Sequence, residues 1–413
     1  MNFIIYSLIL FVAIFQSNSL GNKIGKLGYT YIPFLVVLVF IYLLITKKKI
    51  CSNKFLKILT RLTIYLFGVN IISLFFYIVL FQNEVNLLGE NAIIKFVKGY
   101  SYLIVILLLM ISLYNLTLKF DLKKILKPFL YIFIVLFIAL IFEISNPQLF
   151  NQLFHQSYYD RVRLFTNESS FTGSLIVVYG CLAIYYALNF SKKLLIPLII
   201  MFLTFLLTSG SKGFILVLML SGVICIMLTK LKLRYKSLIL GMIFFMGILV
   251  LPTILASLRN DIVGYTSFAT RIYTNIIGII LMFKYPFGVG NFVYLHVYPI
   301  ELQKYLYILI NKGLNVSEIN TYIYASSDAN IAAKSGVFQY GLYWGVIGTI
   351  IFLYSIIYLY KLLLKNKNKF DFILVYAFIF IIIAIITYID FDIKYEIWIF
   401  FITIFTISER NLK

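Results

Sequence analysis

Along the chain, long apolar runs alternate with short polar connections, many of them basic. The runs fall at approximately 3–17, 28–46, 62–82, 100–116, 128–145, 172–190, 194–209, 213–229, 237–257, 336–360, 371–389 and 395–408. Most have the length of about 17–25 residues that a helix needs to cross a hydrocarbon core. Runs such as Leu103–Met110 are continuously apolar, whereas the strands of a membrane barrel would alternate. The pattern predicts an all-α polytopic membrane protein with about twelve transmembrane helices. The first, seventh and last runs are short, so ten or eleven spans also fit. Pro128, Pro197 and Pro252 sit within or near the ends of runs, where membrane helices tolerate them. No internal repeat or soluble linker is visible, so residues 1–413 read as a single integral membrane domain.

Composition strengthens this picture. Of 413 residues, 62% are hydrophobic and 12% charged, and the mean hydropathy is +0.99. One soluble core of this length cannot hide that much apolar surface. The apolar stretch 3–15 lacks a preceding basic residue and a following cleavage site, so it reads as a retained first span. Cys51, Cys181 and Cys225 are too scattered for a disulfide framework or a zinc site. No metal is predicted.

The net charge of +21 first suggests nucleic acid. Its placement removes that reading. One alternating set of connections holds 22 basic residues, from Lys47–Lys49 to Arg410 and Lys413, against three acids, Asp121, Asp371 and Glu409. The other set holds 14 basic residues against 12 acids. The first set is therefore expected on the cytoplasmic side, with both termini, and the basic excess is a topology signal. Arginine departs from this bias. Four of seven (Arg161, Arg163, Arg259, Arg271) fall on the outer side, where a guanidinium fork suits phosphate or carboxylate recognition.

Two outer connections are long. Residues 146–171 carry Arg161, Arg163 and Glu168. Residues 258–335 form the large outer loop, expected to be structured because it contains many aliphatic and aromatic side chains. Within it, 270–283 is predicted as a helix that lies at the interface or re-enters the membrane. The turn-rich Pro286–Asn291 follows, then His296, many tyrosines, and SSDANIAAKSG before the next span. Few ionisable residues occur inside spans; Glu143 lies near an outer end, and Asp390 and Asp392 flank the last outer turn. That distribution favours chemistry at the outer face over ion-coupled transport.

Four segments carry a family resemblance. RVRLFTNESSFTG (Arg161–Gly173), LLTSGSKGFILVL (Leu206–Leu218), YPFGVGNF (Tyr285–Phe292) and DANIAAKSGVFQYGLYWGVIG (Asp328–Gly348) resemble, in order, segments of Wzy-type O-antigen and capsular polysaccharide polymerases. The chain departs from that pattern at Asn167, Ser169 and Lys212, and carries Asp328 and Asn330 where related O-antigen ligases have a histidine. The resemblance implies a metal-independent, cofactor-free membrane glycosyltransferase in the bacterial plasma (inner) membrane. It would join polyprenyl-pyrophosphate-linked oligosaccharide repeat units (undecaprenyl pyrophosphate the expected carrier), with membrane lipid and a chain-length regulator as candidate partners. An O-antigen ligase-type transferase and a lipid-linked oligosaccharide flippase are the alternatives.

Such chemistry needs cations where pyrophosphate charge develops and a base for the acceptor hydroxyl. Arg161, Arg163, Lys212, Arg259 and Arg271 are the pyrophosphate-binding candidates, each with an ordinary alternative as an interfacial cation. Asp328, Glu168 and His296 are the catalytic candidates. Glu168 also suits a helix start, and Asp328 or Ser327 a helix cap. His155 and the outer tyrosines Tyr294, Tyr298, Tyr305, Tyr307, Tyr322 and Tyr324 have mainly structural expectations.

Overall fold

Side-chain caps set the beginnings of three long helices earlier than hydropathy does. In the computed structural model, Asn53 Oδ1 accepts from Leu56 N at 2.8 Å, Asn91 Oδ1 from Ile93 N at 3.0 Å, and Asp121 Oδ1 from Lys124 N at 2.8 Å. Each satisfies a backbone donor that a helix start leaves unpaired. The helices Lys54–Leu74 (α3, continuing as a π-turn to Leu80), Ala92–Thr117 (α4) and Leu122–Ser145 (α5) follow. The structure describes residues 1–17, 25–46, 50–80, 84–155, 161–228, 234, 236–237, 240–241, 266–311, 315–325, 331–333, 335–365, 370–390 and 394–411.

The described residues are 83% helical, with 15 helices and one two-residue antiparallel pairing, Asn86–Leu87 with Glu90–Asn91. Before α3 come Asn2–Val12 (α1) and Ile32–Thr46 (α2). After α5 come the short Pro147–Phe154 (α6), then Ser169–Phe190 (α7), Leu195–Thr208 (α8) and Lys212–Leu228 (α9). Next are Thr266–Lys284 (α10), Gly290–Asn311 (α11) and Ser317–Ile323 (α12). Gly336–Lys365 (α13), Phe372–Thr387 (α14) and Tyr395–Asn411 (α15) end the chain. The ninth expected span, 237–257, lies almost wholly outside the described residues.

Among the described residues, five helices are long and apolar enough to cross a membrane: Lys54–Leu80, Ala92–Thr117, Leu122–Ser145, Ser169–Phe190 and Gly336–Lys365. Helix α7 is central, with 83% of its apolar window buried against α5, α8, α14 and α15. The same window of α3 is only 28% buried. Ile64, Ile72 and Phe76 on α3, Ile138 on α5, and Ile350 on α13 stand exposed around the bundle. So wide an apolar exterior is what lipid solvates. The chain starts and ends at the same end of the bundle. There Phe3 meets Phe120, and Arg410 Nη2 donates to Thr117 O at 2.6 Å. The opposite end, called the rim below, gathers residues 13–17, 155, 161–174, 208–212, 335–336, 388–390 and 394–396.

Two sequence expectations change. The first run, expected to be helical to residue 17, leaves the helix at Val12, because Gln16 N–H donates to Phe165 O at 2.8 Å instead. The helix expected over 270–283 is present within α10, but among its described residues the large loop goes further and folds as a helical hairpin, α10 and α11, with its own small core around Tyr273, Ile277, Tyr298, Leu302 and Ile319. Its tip, Tyr285–Val289, is wedged into the bundle. Helix α13 breaks at Gly345 (φ 66°, ψ −170°), which frees the Leu342 carbonyl and the Ile347 N–H from the helical ladder. The tip takes both: Val289 N–H donates to Leu342 O at 3.0 Å, and Ile347 N–H to Pro286 O at 3.3 Å. A Cβ on Gly345 would collide with the Pro286 carbonyl, so the close approach requires glycine. Tyr65, near the middle of Lys54–Leu80, donates to Phe287 O at 3.0 Å. Trp344 lies eight residues into α13, so the tip penetrates roughly 12 Å past the start of that helix.

Candidate functional site

The rim is built around one carboxylate. Glu143, near the end of α5, accepts the backbone N–H groups of Arg163 (3.0 Å) and Leu164 (2.9 Å) through its two oxygens. This folds the 161–168 segment back over the bundle, with Leu164 at a positive φ of 46°. Thr166 Oγ1 and Thr172 Oγ1 each donate to Arg163 O at 2.8 Å, tying the segment to the first turn of α7. His155 Nε2 donates to Leu164 O at 2.6 Å, leaving Nδ1 to accept from Ser17 Oγ at 3.1 Å. That pair of roles defines a neutral imidazole. Burial, with the Arg163 charge nearby, pushes its pKa down to about 4.

On this frame the predicted residues separate. Arg163 is 5% exposed, and its Nη2 donates to Asn151 Oδ1 at 2.7 Å, so its guanidinium serves the rim's interior. Arg161 is exposed. Its stem passes over Gly210 (φ +60°), with Cγ 3.6 Å from where a Cβ would stand, which brings it to the 208–212 turn. Lys212 opens α9 from that turn. Glu168 is exposed at the N-cap position of α7 and makes no cap bond there; Ser170 Oγ lies 3.3 Å from its Oε2. The rim therefore presents a guanidinium and a carboxylate at a helix N-terminus, a place that also favours anions.

Arg271, half-buried on α10, acts electrostatically on the phenols of Tyr322 and Tyr388, joining the hairpin to the end of α14. His296 stands apart from Arg161 and Glu168. It is exposed on α11, its ring 5.5 Å from that of Tyr77. Both line a cavity of about 960 Å³ between α3, the hairpin tip and α11, whose walls include Ile64, Ile72, Phe76 and Phe287. Arg259 and Asp328 lie outside the described residues. The helix expected to start near Ser327 or Asp328 instead begins at Gly336, and residues 331–333 are not helical.

Sequence reasoning missed a buried polar cluster beneath the rim. Lys394 and Glu396 are 1% and 0% exposed. Lys394 Nζ donates to Gln16 Oε1 at 2.7 Å and lies 3.8 Å from the centre of the Phe171 ring. Glu396 accepts from Gln16 Nε2 at 2.6 Å and from Ser174 Oγ at 2.5 Å. The only signal was the charged run DFDIKYE between two apolar segments.

No protein-family model matches the chain, and comparisons with curated proteins and with solved structures give no match.

Proposed function

We propose that the protein is a membrane-embedded polysaccharide polymerase that joins polyprenyl-pyrophosphate-linked oligosaccharide repeat units at the outer face of a bacterial plasma membrane. The observation that carries this reading is the apolar groove of about 960 Å³. One wall is the lipid-exposed side of α3 (Ile64, Ile72, Phe76), so the groove opens towards hydrocarbon and suits a long lipid chain. His296 and Ser73 add polar groups to the lining. The rim supplies what a charged leaving group and an attacking hydroxyl need, in Arg161 and Glu168.

In the reaction, an acceptor sugar hydroxyl attacks the anomeric carbon of the donor glycan. The bond from that carbon to the pyrophosphate oxygen breaks, and the leaving pyrophosphate keeps the electron pair. Arg161, with Arg271 and Lys212 as further cations, stabilises the negative charge where it develops. Glu168 is the base for the hydroxyl proton, its exposure keeping the carboxylate open to an incoming sugar. Arg163 holds the segment rather than the substrate.

Deleting the gene tests the reading. Single repeat units should remain on the cell surface while long chains disappear. Accumulation of lipid-linked units in the cytoplasmic leaflet would favour a flippase instead, and loss of glycan transfer to a different final acceptor would favour a ligase.

A further inference from the structure

Lys394 and Glu396, linked through the Gln16 amide, have no part in the scheme above, yet burying both charges is costly. Buried ion pairs are often no more stabilising than apolar side chains of equal volume, and ionisable groups inside an apolar bundle are rare without a purpose. What such a pair supplies is direction. Glu396 grips Ser174 on α7, Lys394 lies against Phe171 one turn earlier, and the Gln16 amide bridges both charges. Gln16 also holds the rim segment through its backbone, donating to Phe165 O. Three distant stretches of chain, 13–17, 165–174 and 394–396, thus meet at two charges. An apolar plug would fill the space without fixing the register of 161–168 against α7.

We propose that Lys394 and Glu396 are positioning residues, which through Gln16, Phe171 and Ser174 lock the segment bearing Arg161 and Glu168 onto the N-terminus of α7. The functional consequence rests on the reading of that rim as the substrate site; the lock itself does not.

The test uses full-length protein purified in detergent. Exposed Cys51 is replaced by Ser, and Ser169→Cys is the reporter, since Ser169 is buried where the segment joins α7 and none of the hydrogen bonds named above uses its hydroxyl. The triple variant Gln16→Leu/Lys394→Met/Glu396→Leu removes the charges and keeps the volume. It should fold with an unchanged or higher thermal midpoint, react with a maleimide at the reporter thiol at least tenfold faster, and polymerise with kcat at least tenfold lower and KM little altered. The variant Lys394→Arg should keep slow labelling and much of kcat, because a guanidinium still donates to Gln16 Oε1 and lies over the Phe171 ring. Unchanged labelling in a folded triple variant overturns the proposal. Should the triple variant not fold, Gln16→Leu decides alone: faster labelling supports the lock and unchanged labelling overturns it. If the parent protein joins no repeat units while the triple variant still labels faster, the lock stands and the polymerase reading falls.

Discussion

The backbone N–H of Asn291 donates to Asn70 Oδ1 at 2.7 Å, linking the first turn of α11 to the later part of α3 across 221 residues of sequence. The Asn291 side chain enters α4 on the opposite side, donating to Lys95 O at 3.0 Å, in space that exists because residue 99 is glycine. This contact, with the Gly345 break, holds the hairpin tip in the bundle and so forms the groove. Asn70→Ala leaves a buried N–H unpaired and should cost on the order of 1–3 kcal/mol. Thermal unfolding in detergent would register it as a lower midpoint.

Gly345→Ala should be more damaging than Asn70→Ala. It places a Cβ at a positive φ, against the Pro286 carbonyl, in a segment packed on both sides. Strain of about 1–3 kcal/mol adds to the collision. The measurable outcome is a lower unfolding midpoint, together with loss of binding of a fluorescent isoprenoid lipid if the groove closes. Full binding at the wild-type midpoint would show that the tip does not need this approach.

The two neighbouring arginines should separate stability from activity. Arg163→Ala removes the partner of Asn151 inside the rim and should lower stability by on the order of 1–3 kcal/mol. Arg161→Ala, at an exposed position, should leave the unfolding midpoint within experimental error while reducing chain elongation about tenfold or more. Equal stability losses in the two variants would contradict this division.

His155 gives the rim a defined response to acid. The unfolded chain binds a proton near the ordinary value of 6.5, the folded protein only near 4. Between those values the unfolded state carries more protons, so stability falls as pH drops from 6.5 towards 4 and is level above 6.5 with respect to this group. His155→Gln keeps an N–H for Leu164 O and cannot titrate. Its unfolding midpoint should fall less steeply over the same window, as a thermal melt series would record.

Much of the helical skeleton was legible because each apolar run carries its own instruction. Leu122–Ser145 reads directly from hydropathy, and Asp121 explains why it begins before the apolar run does. The hairpin in the large loop was harder to see. Arg271, Asn275 and Lys284 interrupt α10, and its depth depends on Gly345 and Asn70, both remote in sequence. The site divided in the same way. Arg161 and Glu168 were visible as charges beside a span, whereas Arg163, two residues from Arg161, turned inward because Glu143 captured its backbone. The Gln16–Glu396 contact spans 380 residues, and no local pattern announces it.

Polymerisation itself is tested most directly in reconstituted protein supplied with polyprenyl-pyrophosphate-linked repeat units as the sole substrate. A polymerase should yield a ladder of lengthening glycans, with one polyprenyl pyrophosphate released for each unit joined. Substrate recovered unchanged, or merely moved between leaflets, would contradict that assignment.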